Sequence, residues 1–235
     1  MGPRITPRLT CHQAPKLCGP VTAPVSAPDL EPLGAREVLE HMVREYHPRL
    51  YVACSFQKEA SVILDMLVRI EPSARFFVLD TGVLFEETYE TWRRVEERYG
   101  ITIDRYRGEW VDGLWARDPD ACCGVRKVTP LAEALSGVDA WVTGLRRDQS
   151  PTRAGTPKLG WDAAHGKFKA APLADWSDQD VWRYIAEHDV PYNPLHDQGF
   201  SSIGCTHCTV PGAGRDGRWA GTDRIECGLH LTSEG

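Results

Sequence analysis

Four short apolar runs alternate with segments of helical length, and this alternation restricts the fold more than any other feature of the chain. The runs are LYVAC (50–54), RFFVLD (75–80), ITIDRY (101–106) and AWVTGL (140–145). Between them lie SVILDMLVRI (61–70), TGVLFEETYETWRRVEERYG (81–100, closed by Gly100) and a helix expected to start near Cys122 and end at Leu135. A helix is predicted over Ala35–Tyr46, ahead of the first strand. Another is predicted over Ser177–Asp189, with Ser177 as its N-cap. A short hairpin is expected within 158–171. The pattern implies an α/β fold with a mostly parallel sheet flanked by helices. Ligands of such sheets bind at the C-terminal ends of the strands.

Three regions follow. Residues 1–34 are rich in Pro, Ala and Thr and read as a disordered N-terminal arm. Cys11 and Cys18 fall there, in no ligand pattern. Residues 35–198 form the α/β domain. Residues 199–235 are dense in Gly, Cys and Arg and read as a mobile functional tail. A formal net charge of −6 speaks against a general nucleic-acid or membrane-surface binder. No apolar run reaches the roughly 18 residues of a spanning helix, and the N-terminus lacks a secretory signal. A cytoplasmic protein is expected, and paired cysteines there are metal ligands or catalytic thiols rather than disulfides.

The polar motifs follow strands or lie in the tail. SFQKEAS (55–61) joins a strand to a helix, where free backbone amides suit an anion, with Ser55, Lys58 and Ser61 as further donors. It lacks the usual glycines, so a plain capped turn is the competing reading. In LDTG (79–82), Leu79, Asp80, Thr81 and Gly82 end a strand and suit a ribose or base edge, or simply an Asp-capped turn. GLRRDQSPTR (144–153) offers Arg146 and Arg153 for bidentate contact with phosphate or sulfate, with Gly144 giving backbone clearance. Arg215 and Arg218 of GRDGRW add two candidate anion ligands.

Cys122 and Cys123 are adjacent, and Cys205 and Cys208 form a Cys-x-x-Cys pair. Four thiolates suit a tetrahedral zinc or a [4Fe–4S] cluster. Adjacent cysteines cannot form a zinc knuckle, whereas two neighbours can reach different irons of a cube. Lys127 follows on the same helix, placed between such a centre and an anionic substrate. Cys227 stands in ECGLH (226–230) with Glu226 and His230. A thiol brought into a basic pocket would be nucleophilic.

Taken together, CCGVRKVTPL, GLRRDQSPTR, PLADWSDQDVW, VPYNPLHDQGFSSIGCTHCT and ECGLH resemble the phosphosulfate reductase family, within it the assimilatory adenylyl-sulfate (APS) reductases. The resemblance covers about residues 35–230. It implies a nucleotide-binding fold like that of the ATP pyrophosphatases (adenine-nucleotide alpha hydrolase-like), with SFQKEAS as a modified phosphate loop and LDTG as the adenosine-binding strand end. It implies Arg153 in the substrate loop and Lys127, Arg215, Arg218 and His230 around the phosphosulfate. It also implies Cys227 as nucleophile, a [4Fe–4S] cluster on Cys122, Cys123, Cys205 and Cys208, thioredoxin or a glutaredoxin-like protein as reductant, and a homo-oligomer. The activity implied is reduction of APS to sulfite and AMP for cysteine biosynthesis. The alternative is the same reaction on 3′-phospho-APS (PAPS), whose reductases generally lack the four cysteines. An ATP-using transferase and a non-enzymatic cluster or zinc module are more distant readings.

Overall fold

The computed structural model describes residues 27–219, 224, 226 and 228–230. Its strands are β1 (Leu50–Ala53), β2 (Arg75–Leu79), β3 (Ile103–Tyr106), β4 (Ala140–Val142), β5 (Leu159–Asp162) and β6 (Lys167–Ala170). They form one sheet in the order β3-β2-β1-β4-β6-β5. Every pairing is parallel except β5 with β6, the expected hairpin.

Side chains of a strand alternate between the two faces, and both faces are buried here. Leu50, Val52, Phe76, Val78, Ala140 and Val142 pack on one face, against α1 (Ala35–Tyr46), α2 (Lys58–Ile70), α3 (Glu86–Tyr99) and α7 (Asp178–His188). Tyr51, Phe77 and Trp141 pack on the other, against Leu131, Ala134 and Leu135 of α6 (Thr129–Leu135). The near-continuous apolar composition of the strands follows from this double coverage. Gly100 closes α3 in the left-handed conformation (φ 63°). The Ser177 hydroxyl caps α7 by accepting from the Asp180 amide.

Three boundaries differ from expectation. The second helix begins at Lys58, not Ser61, because Phe56 adopts a left-handed φ of 56° and turns the chain sharply out of β1. Burial of the Phe56 ring, stacked on Trp92 at 5.6 Å, holds this unfavourable conformation. The helix expected near Cys122 starts earlier, as α5 (Pro119–Cys123) directly after the one-turn α4 (Leu114–Arg117), and passes through a π turn (Gly124–Val128) into α6. The packed body also begins before residue 35: Leu30 is buried, and Lys158 Nζ donates to the carbonyls of Glu31 and Leu33. Residues 1–26, with Cys11 and Cys18, lie outside the described residues. No described helix is long and apolar enough to cross a membrane.

Candidate active site

The C-terminal ends of β1, β2 and β4 open into a cleft whose void, open to solvent at its mouth, measures about 1110 Å³. Ser55, Leu79, Thr81 and Gly144 line its floor, and Lys127, Arg153, Arg215, Arg218 and His230 line its walls. Nine of the predicted site residues are therefore gathered in one place, from segments far apart in sequence.

Five predicted substrate ligands, Lys58, Ser61, Asp80, Gly82 and Arg146, do not line this cleft. The Asp80 carboxylate is fully buried and accepts from Tyr89 Oη (2.7 Å), the Gly82 amide (2.8 Å), Arg107 Nη2 (2.7 Å) and Arg105. Burial raises its pKa, but these four donors together outweigh that and hold it below the usual value. Asp80 braces the LDTG turn instead of reaching the cleft, and Gly82 supplies that turn's left-handed residue (φ 75°). Lys58 Nζ pairs with Asp178 at 2.9 Å. Arg146 is committed to Glu59 (3.0 Å), Asp178 (3.0 Å) and Asp148. Ser61 is buried one turn into α2 and lines no part of the cleft. Lys58 and Arg146 instead line a separate polar pocket beside the cleft, which Arg153 and Arg215 also border. Gly144 also has a packing role, since a Cβ there would meet Glu59 Cβ at 2.9 Å.

The remaining cations are aimed into the cleft. Arg153 is fixed by Gln149, whose Oε1 accepts from Nη1 at 2.6 Å. Arg218 Nη1 donates to Ser202 Oγ (3.1 Å) and the Ile203 carbonyl (3.3 Å). Gly204 makes room for it, because a Cβ there would sit 2.5 Å from the guanidinium. The His230 ring stacks on Trp141 (centroids 6.0 Å, 14° between planes), and its Nδ1 is 3.2 Å from Lys169 Nζ. Burial, then Lys169, Arg153 and Arg215, hold His230 well below its ordinary pKa, so the ring is neutral. Cys227 lies outside the described residues. Sequence reading noted Glu226 beside Cys227 and the glutamine of GLRRDQSPTR (Gln149) without placing either among the substrate ligands, and it missed Lys169.

A second, smaller pocket adjoins the first and is lined by Cys122, Cys123, Cys205 and Cys208, with Arg126 and Lys127. Lys127, on the π turn, belongs to both pockets. Arg224 Nη1 lies 3.7 Å from Cys123 Sγ. Burial pushes the Cys122 and Cys208 thiols up; neighbouring thiols add to this, while Arg126 and Lys127 oppose it and are outweighed. Among the described residues, no three His, Cys, Asp or Glu side chains converge on one metal-ion position.

The family model described as the phosphoadenosine phosphosulfate reductase domain matches residues 49–211. A Lysinibacillus sphaericus protein named adenosine 5′-phosphosulfate reductase is 46% identical over 84% of this chain and 91% of its own. Adenosine 5′-phosphosulfate reductase 1 of Bacillus subtilis is 44% identical over 88% of this chain and 95% of its own. Among solved structures, a Candida auris phosphoadenylyl-sulfate reductase in a phosphate complex superposes with a TM-score of 0.69 at 34% identity, over 76% of this chain and 91% of that one. A Candida glabrata FMN adenylyltransferase, at 15% identity and a TM-score of 0.58 over 76% of this chain and 64% of that one, shares the fold alone.

Proposed function

The chain belongs to the phosphoadenosine phosphosulfate reductase domain family, and from that premise we propose that it reduces adenosine 5′-phosphosulfate to sulfite and AMP at the expense of thiols. The relatives that carry this activity in their names cover nearly the whole chain. The observation that carries the reading is the adjacency of an arginine-rich cleft at the strand ends and a four-thiol pocket, joined through Lys127.

In this reaction the Cys227 thiolate attacks the sulfuryl sulfur. The bond from that sulfur to the bridging oxygen breaks, AMP leaves with the electron pair, and an S-sulfocysteine remains. A thiolate of a thioredoxin-like protein then attacks Cys227 Sγ and forms a mixed disulfide, while sulfite departs with the S–S electron pair. The partner's second thiol resolves the disulfide. Two thiols are oxidised, and sulfur passes from sulfate to sulfite level. A thiolate and a phosphosulfate repel one another. Lys127, Arg153, Arg215 and Arg218 offset this repulsion and stabilise the charge gathering on the leaving phosphate. Neutral His230, held against Trp141, offers a hydrogen bond without adding a mobile proton.

Cys122, Cys123, Cys205 and Cys208 would hold a [4Fe–4S] cluster. The donor chemistry fits: four thiols line one pocket, and Arg126, Lys127 and Arg224 lie beside them. When bound, the cluster supplies fixed charge beside Lys127, and the electrons come from thiols.

Sulfite release by anaerobically purified protein, with thioredoxin and either APS or PAPS, tests the proposal. Strong preference for APS is expected. Preference for PAPS would move the substrate toward the one for which the Candida auris protein is named. No sulfite from either would overturn the reductase reading.

A further inference from the structure

Arg153 and Arg215 both face the cleft, and both direct donors to one carboxylate. Arg153 Nε donates to Glu226 Oε1 at 2.8 Å and its Nη2 to Oε2 at 2.9 Å, while Arg215 Nη2 donates to Oε2 at 3.0 Å. The three side chains are only 10%, 15% and 9% exposed, in the order Arg153, Arg215, Glu226. Gln149 fixes Arg153 from the other side. The loop therefore orients this guanidinium independently of Glu226. A planar fork closed on two carboxylate oxygens has the geometry it would take on two oxygens of a phosphate or sulfate.

We infer that Glu226 is an intramolecular occupant of the anion subsite formed by Arg153 and Arg215, and that the substrate's phosphosulfate binds there by displacing it. The inference rests on the reading that APS binds in this cleft. A carboxylate and a phosphosulfate cannot share one buried pair of guanidinium groups, because their repulsion at contact distance in a poorly solvated site is large. Either the carboxylate yields, or the anion uses Lys127 and Arg218 alone and Glu226 stays. The two cases differ in sign. If Glu226 competes, only a fraction of the free protein has an open subsite, and apparent affinity falls by that fraction. Removing the competitor then tightens binding. If Glu226 only braces the fold, removing it weakens binding or leaves it unchanged.

The experiment is equilibrium binding of APS and of adenosine to the full chain carrying Cys227→Ser, which prevents turnover, with and without Glu226→Gln. APS should bind about tenfold more tightly to the Glu226→Gln protein, and adenosine, which has no anion, should bind unchanged. Glu226→Asp is one methylene too short to span both arginines and should tighten APS binding in the same sense but less; it carries the test if the Gln variant does not fold. Unchanged or weaker APS binding in the folded variants overturns the inference, as does a parallel change for adenosine. Absence of APS binding to the Cys227→Ser protein itself overturns the substrate reading, and the inference with it.

Discussion

Thr81 Oγ1 lies 3.3 Å from Cys205 Sγ, so the strand end that floors the nucleotide cleft touches the four-thiol pocket directly. Both groups are buried. With Cys205 ionised on a cluster, Thr81 becomes the donor of a charge-assisted hydrogen bond to sulfur. Thr81→Val keeps the shape and deletes the donor. It should speed chelator-driven iron loss about tenfold, in line with about 1.5 kcal/mol for such a bond, and raise the KM for APS. Thr81→Ser should restore both. Unchanged iron loss in Thr81→Val would sever the link.

The two roles assigned to cysteine separate cleanly. Cys227→Ser should abolish sulfite release and leave iron and labile sulfide at the wild-type amount. Cys205→Ser or Cys208→Ser should lose the iron yet keep the circular-dichroism spectrum of the sheet, because neither contributes to the cores on its two faces. Cys54 lines the cleft but is fully buried, which raises its thiol pKa far above normal. It should resist alkylation in the native protein, and Cys54→Ala should retain turnover.

Arg146 and Arg153 stand in one loop and predict opposite phenotypes. Arg146 is 4% exposed and holds Glu59, Asp148 and Asp178 together. Arg146→Met strands those carboxylates and should cost about 3 kcal/mol in urea unfolding. Arg153→Ala leaves Glu226 paired with Arg215, so it should lower stability less, and it should raise the KM for APS by one to two orders of magnitude, roughly the loss of a bidentate charged contact. Equal stability losses in both variants would refute the division.

The architecture was legible because strand and helix alternate with few interruptions and because Gly100 and Ser177 carry unambiguous end signals. The gathering of Thr81, Lys127, Arg153, Arg215 and Arg218 was legible through the family resemblance; Thr81 and Arg153 also follow strands and Arg215 and Arg218 sit in the tail, whereas Lys127 lies within a helical segment. What sequence could not tell is which polar residues of a motif turn inward. Asp80 and Thr81 are neighbours, yet one braces a turn and the other lines the cleft. Lys58 and Arg146 look like anion ligands until Asp178, distant in sequence, is placed beside both. Long-range charge pairing leaves no local pattern. Lys169 went unnoticed for the same reason, because its partner His230 is 61 positions away.

A last prediction concerns acid stability. His196 anchors the turn before α2: its Nε2 accepts from the Lys58 amide at 3.3 Å, and its Nδ1 is 2.7 Å from the Phe200 carbonyl oxygen, to which it donates. That pattern requires the neutral ring. Burial, reinforced by the charge on Lys58, lowers the His196 pKa. The unfolded chain binds a proton near pH 6.5 and the folded chain only below that, so the unfolded state holds more protons in the interval between. Stability therefore rises with pH there: it is fully present above about pH 6.5 and is lost as pH falls below it, by up to about 1 kcal/mol at pH 5.5. His230, lowered for the same first cause, adds to the slope. Urea unfolding followed by tryptophan fluorescence at pH 7.5 and 5.5 reads this difference. His196→Gln supplies an amide that never titrates, so it should be less stable at pH 7.5 but show a smaller loss on acidification. A loss equal to that of the wild type would mean that His196 is not one of the groups taking up the proton.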